Sequence, residues 1–382
     1  MSMDPTQQTY DLVAAPQAMP VLLEALSRAE RVAIDIEADS YHHFHHKVCL
    51  IQVAMGDRCF IVDPLAELDL SEMLSLLSDK LLIFHDAGYD LRMLRADFGF
   101  RPNNEIFDTM LAARLIGLEK FSLSALLEQI LGIGLSKHNQ RANWAKRPID
   151  AKLLVYAAED IRYLERLTDY LTDRLHRLGR TEWHREYCQW TIAQSQVVKI
   201  PENSEKVWRI RGVSGLSPRQ LAFVRAVWQW RQEQSDRADS APFRILHNDR
   251  LVELALWAER QKQILPDKLP RLPRHCKGNR RRELVEALQQ AQRLNSRQWP
   301  QPLLKNAGQR PAPEILEKAE HLHTQCRCIA KSLDLPTSLI ASRKSLLAAV
   351  NTHADTEEKL LRIGWMRWQV RLVLPALRDV LG

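Results

Sequence analysis

No run of apolar residues in this 382-residue chain approaches the roughly 18–20 that a bilayer-spanning helix needs, which excludes a protein threaded through a membrane by helices. A basic N-terminal segment leading into an apolar core is also missing, so no secretion signal is read and a cytoplasmic location is expected. Cysteine is sparse: six in the whole chain, which without a secretion signal points to reduced thiols rather than a disulfide framework. The phosphate-cradling pattern G-x-x-x-x-G-K-[ST] occurs nowhere, and with it goes any helicase or other ATPase built on that loop. No repeat of short fixed period is evident, although the last two segments are compatible with two versions of one helical module.

What is present is ordinary for a globular protein in bulk, with 45% apolar and 26% charged residues, and the length suggests two or three domains. The net charge of +7 is unevenly spread. Val207 to Pro300 holds 19 Lys and Arg against 9 Asp and Glu, so this block is strongly basic while the remainder is slightly acidic. A basic block of that size favours a polyanion, and nucleic acid is the commonest large one.

The N-terminal part alternates. Tyr10–Val13, Arg31–Glu37, Lys47–Ala54, Cys59–Val62 and Leu81–Phe84 read as strands, the third and fourth joined by a turn at Gly56 and Asp57. Helices are predicted around Met19–Leu26, Ser71–Ser78, Gly88–Phe98, from Asp108, over Ser122–Leu131, and as one long helix from Ala151 towards His176. Gly132–Asp150 is a polar connection between the last two. From Thr181 the pattern is all-helical and holds nine of the ten tryptophans, with breakpoints near Pro201 and across the proline cluster at 298–313.

Three short stretches carry candidate chemistry. In Arg31–Glu37 two acids interrupt an apolar strand, and Asp35 and Glu37, two apart, emerge on one face. Burying both unpaired would cost several kcal/mol, and a divalent cation such as Mg²⁺ or Mn²⁺ is the simplest partner for carboxylate oxygens. Asp90 lies in the first turn of a helix that follows a strand; an acid there can serve the helix dipole, but Asp86 is the better N-cap by position, which frees Asp90. Tyr156 and Asp160, four apart, share a helical face beside the buried stripe of Leu153, Ala157, Ile161 and Leu164. A tyrosine-to-aspartate hydrogen bond closing the helix surface is the plain alternative for that pair.

In order and context, Asp35-x-Glu37, Asp90 and Tyr156-x₃-Asp160 resemble the three exonuclease motifs of the DEDD superfamily in its tyrosine-bearing subgroup. The neighbouring sequence is similar to the ribonuclease D family at Phe84-His85 through Asp90-Leu91, at Phe107-Asp108-Thr109, at Asn143-Trp144 with Arg147-Pro148, and at Tyr156 through Ile161. Leu221–Leu294 resembles the HRDC module that this family shares with RecQ-type helicases. The stretch Ala38–His46 departs from the family pattern with its four histidines, His42, His43, His45 and His46.

The resemblance implies an α/β ribonuclease-H-like mixed-sheet exonuclease domain followed by all-α HRDC-type helical domains: residues 1–203, then 204–297, then a second HRDC-like segment, 298–382. It also implies a 3′-5′ exoribonuclease that holds two divalent metal ions, Mg²⁺ or Mn²⁺, on Asp35, Glu37, Asp90 and Asp160. Asp35 would bridge both ions, Glu37 and Asp160 would bind the nucleophile-side ion, Asp90 would support the second, and Tyr156 would orient the attacking water. RNA with a free 3′ end is the expected partner, tRNA precursors by family resemblance, and a monomer is expected. His85, Lys137, Arg141 and Trp144 are candidate substrate contacts, the last three because they lie in the polar connection before the Tyr156 helix.

Other readings compete. A DNA exonuclease of Werner or proofreading kind would use the same acids, and a non-catalytic nucleic-acid scaffold would need none of them. Asp39, Asp86 and Asp108 are left out of the metal set, the last two because they stand at helix starts. The histidine run reads as a solvated loop, and His321, His323, Cys326 and Cys328 as a helical segment whose i, i+2 pairs point apart. Arg280–Arg282 is read as an RNA-contacting run, and at least two of Trp228, Trp230 and Trp257 as core.

Overall fold

Aliphatic and β-branched residues dominate the stretches that become strands, and six of them form one mixed sheet. The computed structural model of the chain describes residues 10–135, 141–197, 207–301 and 311–382. Its strands are β1 (Asp11–Val13), β2 (Arg31–Ala38), β3 (Val48–Met55), β4 (Arg58–Val62), β5 (Leu81–Phe84) and β6 (Ile106–Asp108), in spatial order β1-β4-β3-β2-β5-β6. β2, β3 and β4 run antiparallel in sequence, whereas β1 joins β4, β5 joins β2 and β6 joins β5 in parallel. β2 is thus interior, between β3 and β5. β3 is buried along its whole length, which is why its sequence reads as a continuous apolar run rather than an alternation.

Both faces are covered. Val32, Ile34 and Ile36 of β2 turn towards α1 (Met19–Arg28), α2 (Ser71–Ser78) and α3 (Ala87–Phe98), which contribute Leu22, Leu26, Met73, Leu91 and Leu94 to one core. Ala33 of β2, with Leu50 and Ala54 of β3, turns to the opposite core under α4 (Thr109–Leu115), α5 (Leu123–Leu126), α6 (Ala151–Arg162) and α7 (Leu164–Arg177). The single long helix expected from Ala151 is two helices: the backbone leaves helical geometry at Tyr163 (φ −107°, ψ 2°). The bend lets Leu154, Ala157 and Ile161 before it and Leu164, Leu167 and Leu171 after it reach the same core.

The chain groups into two compact units, one drawn from residues 1–38, 48–197 and 310–382, the other from 39–47 and 198–309. The first unit continues with α8 (Thr181–Ser195). In the second, α9 (Pro218–Arg237), α10 (Pro242–Ile245), α11 (Asn248–Glu259) and α12 (Asn279–Arg293) enclose a core that includes Trp208 and Trp230, with Trp228 and Trp257 partly buried against it. The histidine loop belongs to this unit. His43 Nδ1 lies 2.8 Å from Asp239, His45 Nε2 2.7 Å from Asp236, and His42 Nδ1 accepts from Arg244 at 2.8 Å. The Trp230 indole donates to the Arg280 carbonyl, anchoring the start of the arginine run, and Arg281 donates to the Pro266 carbonyl.

The C-terminal helices α13 (Pro313–Ser332), α14 (Thr337–Ile340), α15 (Arg343–Asn351), α16 (Glu357–Arg362) and α17 (Arg367–Leu381) share the first unit's core. Cys326 of α13 is buried in it and Cys328 is exposed. Glu186 of α8 accepts the backbone N–H groups of Arg367 and Trp368, capping α17 from another helix, and the Trp183 and Trp368 rings stack at 4.6 Å. Among the described residues no helix is long and apolar enough to cross a membrane. The proposed boundary at Pro201 lies outside the described residues.

The polar connection before α6 is held by one side chain. Arg147 donates through Nε and Nη2 to the two oxygens of Asp63 at 2.7 and 2.6 Å, and to the Trp144 and Cys49 carbonyls. Asp63 is only 5% exposed, so it depends on that fork. Arg147→Ala should cost about 3–5 kcal/mol by stranding a buried charge, lowering the thermal midpoint by several degrees in a calorimetric scan. Arg147→Lys should recover only part, because an ammonium cannot span both oxygens. A midpoint within a degree of the parent for the alanine variant would show that the clamp is not needed.

Candidate active site

Strand alternation puts Asp35 and Glu37 on the face of β2 that lies under α6, and α6 returns Tyr156 and Asp160 to the same place. Carboxylate oxygens of Asp35, Glu37 and Asp160 come within 4.8 Å of one another. α6 is set at its start by Asp150, whose carboxylate accepts from the Lys152 N–H. Asp90, 6% exposed, reaches the group from α3, near enough for the charge of Asp35 to raise its pKa. Three elements distant in sequence thus deliver four acids and a phenol to one spot, among them each of the residues expected there.

The turn that places Asp90 is built differently from expectation. Asp86 stands at the N-cap of α3, but its side chain caps nothing and its backbone is left-handed at φ 69°, a conformation that costs a non-glycine residue of order 1–3 kcal/mol. The cap comes from Asp108 at the end of β6. That buried carboxylate accepts the N–H groups of Asp86 and Ala87 at 3.2 and 2.9 Å, and those of Met110 and Leu111 at 2.9 and 3.1 Å. One acid therefore ties the starts of α3 and α4 together, which is the physical reason it is unavailable as a ligand. Asp39, the other excluded acid, accepts from the Lys47 N–H within the histidine loop.

Beside the acids opens a cleft of about 580 Å³, lined by Asp35, His85, Tyr156 and Asp160 together with Met110, Phe121, Leu135 and Leu164. A larger cleft of about 750 Å³, between β6, α7 and α8, holds none of the four acids. His85 Nδ1 is 2.9 Å from the Thr109 hydroxyl, which itself donates to the Phe84 carbonyl. Since that hydroxyl has one proton, Nδ1 must donate to it, leaving Nε2 as an acceptor. Burial pulls the His85 pKa down to about 4, so the ring is neutral near pH 7.

Trp144 is not an outward-facing contact. It is 1% exposed, with its ring 6.3 Å from that of Tyr156, because the Arg147 clamp folds the connection inward; it braces the phenol from behind. Arg141 is exposed and does not line the cleft, and Lys137 lies outside the described residues. The apolar lining from Met110, Phe121 and Leu135 was not anticipated, since Met110 lies on a short helix and Phe121 and Leu135 in irregular segments, where apolar residues carry no pattern of their own.

Electrostatics show what the group lacks. Burial, and then the neighbouring Asp160, push Asp35 up to about 7. Burial raises Asp160 to about 6, against a hydrogen bond from Tyr156. Glu37 and Asp90 are held well above the usual carboxylate range, first by burial and then by Asp35. The Tyr156 phenol is raised by burial and by the charge of Asp160, and stays protonated at any physiological pH. Oxygen-only ligands that repel one another suit hard divalent cations, so the donor set fits such ions.

A pH dependence follows. With folded values raised, the native chain binds more protons than the unfolded one between about pH 4 and pH 7, and stability falls as pH rises through that window. Chelated protein should therefore melt at a higher temperature at pH 5 than at pH 8, and millimolar Mg²⁺ or Mn²⁺ should restore the midpoint at pH 8. Scanning fluorimetry with EDTA or metal checks both. A midpoint insensitive to metal at pH 8 would contradict a cation site.

The family model described as 3′-5′ exonuclease matches residues 10–176, and that described as HRDC domain matches residues 220–265. The chain is 30% identical over 300 residues to ribonuclease D of Zymomonas mobilis, covering 77% of this chain and 76% of that one. It is 30% identical over 289 residues to ribonuclease D of Haemophilus influenzae, covering 73% and 71%. Its fold matches Escherichia coli RNase D with a TM-score of 0.69 at 22% identity, over 98% of this chain and 99% of that one. A constellation of acids on a mixed sheet that could hold a cation, a stretch matching the HRDC model and relatives of this closeness all point the same way: the chain belongs to the ribonuclease D family and is a 3′-5′ exonuclease.

Proposed function

We propose that this chain trims RNA from its 3′ end, one nucleotide at a time, by a two-metal mechanism, and that tRNA precursors in the cytoplasm are its biological substrates. The convergence of Asp35, Glu37, Asp90 and Asp160 beside Tyr156 supports this reading above all else. A pair of divalent cations, when bound, supplies a water acidic enough to attack phosphorus and stabilises the leaving 3′ oxygen. Asp35 would contact both ions, Glu37 and Asp160 would hold the nucleophile-side one, and Asp90, from α3, would support the other. Tyr156 donates to Asp160 and, remaining protonated, offers its oxygen to orient the attacking water.

The terminal nucleotide would occupy the cleft, its base against Phe121 and Met110. His85, whose Nε2 can only accept, would then take a hydrogen bond from the ribose 2′-hydroxyl, which favours RNA over DNA. Residues 1–203 would carry the chemistry, while 204–297 and 298–382 would hold the body of the RNA, the former through the cationic stretch from Arg260 to Arg282. The molecule would act as a monomer.

The test uses 5′-labelled RNA and matched DNA with free 3′ ends, with and without Mn²⁺. A metal-dependent ladder on RNA is expected from the parent and none from Asp35→Ala. Tyr156→Phe should slow shortening by about 10²-fold or more while still binding metal. His85→Ala should narrow the ratio of RNA to DNA rates. Equal parental rates on DNA would favour the DNA exonuclease reading, and binding without shortening would leave only a scaffold.

A further inference from the structure

β3 contributes eight residues, all buried, and Gln52 is its one polar side chain. Gln52 is 0% exposed, and neither its Nε2 nor its Oε1 has a hydrogen-bond partner among the described residues. A side-chain amide has two donors and two acceptor sites, and leaving a buried polar group unsatisfied costs about 1–3 kcal/mol. Leucine or methionine would fill similar space without that cost.

The register shows where the amide can find a partner. Gln52 lies directly opposite Asp35 on β2 and opposite Ile61 on β4, so these side chains share a face with Cβ atoms about 4.5–5.5 Å apart. Its neighbours two residues away along β3 on that face are Leu50 and Ala54. Three of the four surrounding positions are therefore apolar and the fourth is the acid at the centre of the metal group. A lysine there would neutralise Asp35 and repel cations; an amide gives a hydrogen bond without a charge.

We propose that Gln52 is a positioning residue for Asp35 in the cation-bound chain, where its Nε2–H, unpartnered in the structure, would donate to the Asp35 carboxylate and so fix the oxygens that meet the cations. The inference rests on the divalent-cation reading above. Carboxylates that bind metals are commonly held by such outer hydrogen bonds, whose loss typically weakens metal affinity 10–100-fold.

Mn²⁺ binding to the full-length chain, followed by electron paramagnetic resonance, tests it in the parent, Gln52→Leu, Gln52→Met and Asp35→Asn. Both Gln52 variants should bind Mn²⁺ about tenfold more weakly, with chelated melting temperatures equal to or above the parent's because an unsatisfied amide is gone. Parental Mn²⁺ affinity in a folded Gln52 variant would overturn the proposal and make the amide a packing element; should the leucine variant fail to fold, the methionine variant decides. If the parent binds no Mn²⁺, or Asp35→Asn binds as tightly as the parent, the cation reading falls and this inference with it.

Discussion

Like charges crowded together at a partly buried cleft are the constraint on which the rest of this structure depends. Burial raises all four of Asp35, Glu37, Asp90 and Asp160, and neighbouring carboxylates raise them further: Asp160 acts on Asp35, Asp35 on Glu37 and Asp90, and Glu159 on Asp160. Among the described residues no arginine or lysine charge lowers the pKa of Asp35, Glu37 or Asp160, so cations supplied from outside are what would stabilise the charged form. A fold that keeps such a cluster gives up stability at neutral pH, and it does so where the chemistry requires oxygen ligands.

Holding the cluster takes scaffolding of unusual reach. β2 is interior to the sheet and cannot slip in register without turning its apolar side chains to the wrong face. α3 is tied through Asp108 to the end of β6 and the start of α4, and this network sustains the left-handed Asp86 that aims Asp90 inward. α6 follows a connection that Arg147 clamps to Asp63 and to the β3 backbone. Asp90 and Asp160 are thus positioned through Asp108 and Arg147, neither of which lines the cleft.

Much of this was legible in the residues. The strands of the antiparallel core and the helices from Ser71 to Phe98 follow apolar periodicity closely, and Asp35, Glu37, Tyr156 and Asp160 stand out because acids and a phenol interrupt buried stripes. β6 was missed: three residues are too few to show alternation, and the strand exists because β5 offers it a parallel edge. The break at Tyr163 has no proline or glycine to announce it. Asp86 was taken as the cap of α3 because it sits at the right position, but a left-handed backbone turns its side chain away and a residue 22 positions later does the work. Trp144, read as reaching outward from a polar connection, is drawn inward by a clamp whose acid lies 84 residues from Arg147.

Local order, then, was decided by the chain itself: which stretches could be strands or helices, which faces would be buried, and which side chains could carry oxygen-ligand chemistry, all consequences of the two- and 3.6-residue periods of the backbone. Convergence was decided only by tertiary packing. The distances among the acids, the acceptor state of His85, the capping of α3 by Asp108 and the enclosure of Gln52 opposite Asp35 depend on contacts between residues far apart in sequence. Such contacts are set by how the sheet orders its strands and where helices cross it, quantities that no local pattern of residues encodes.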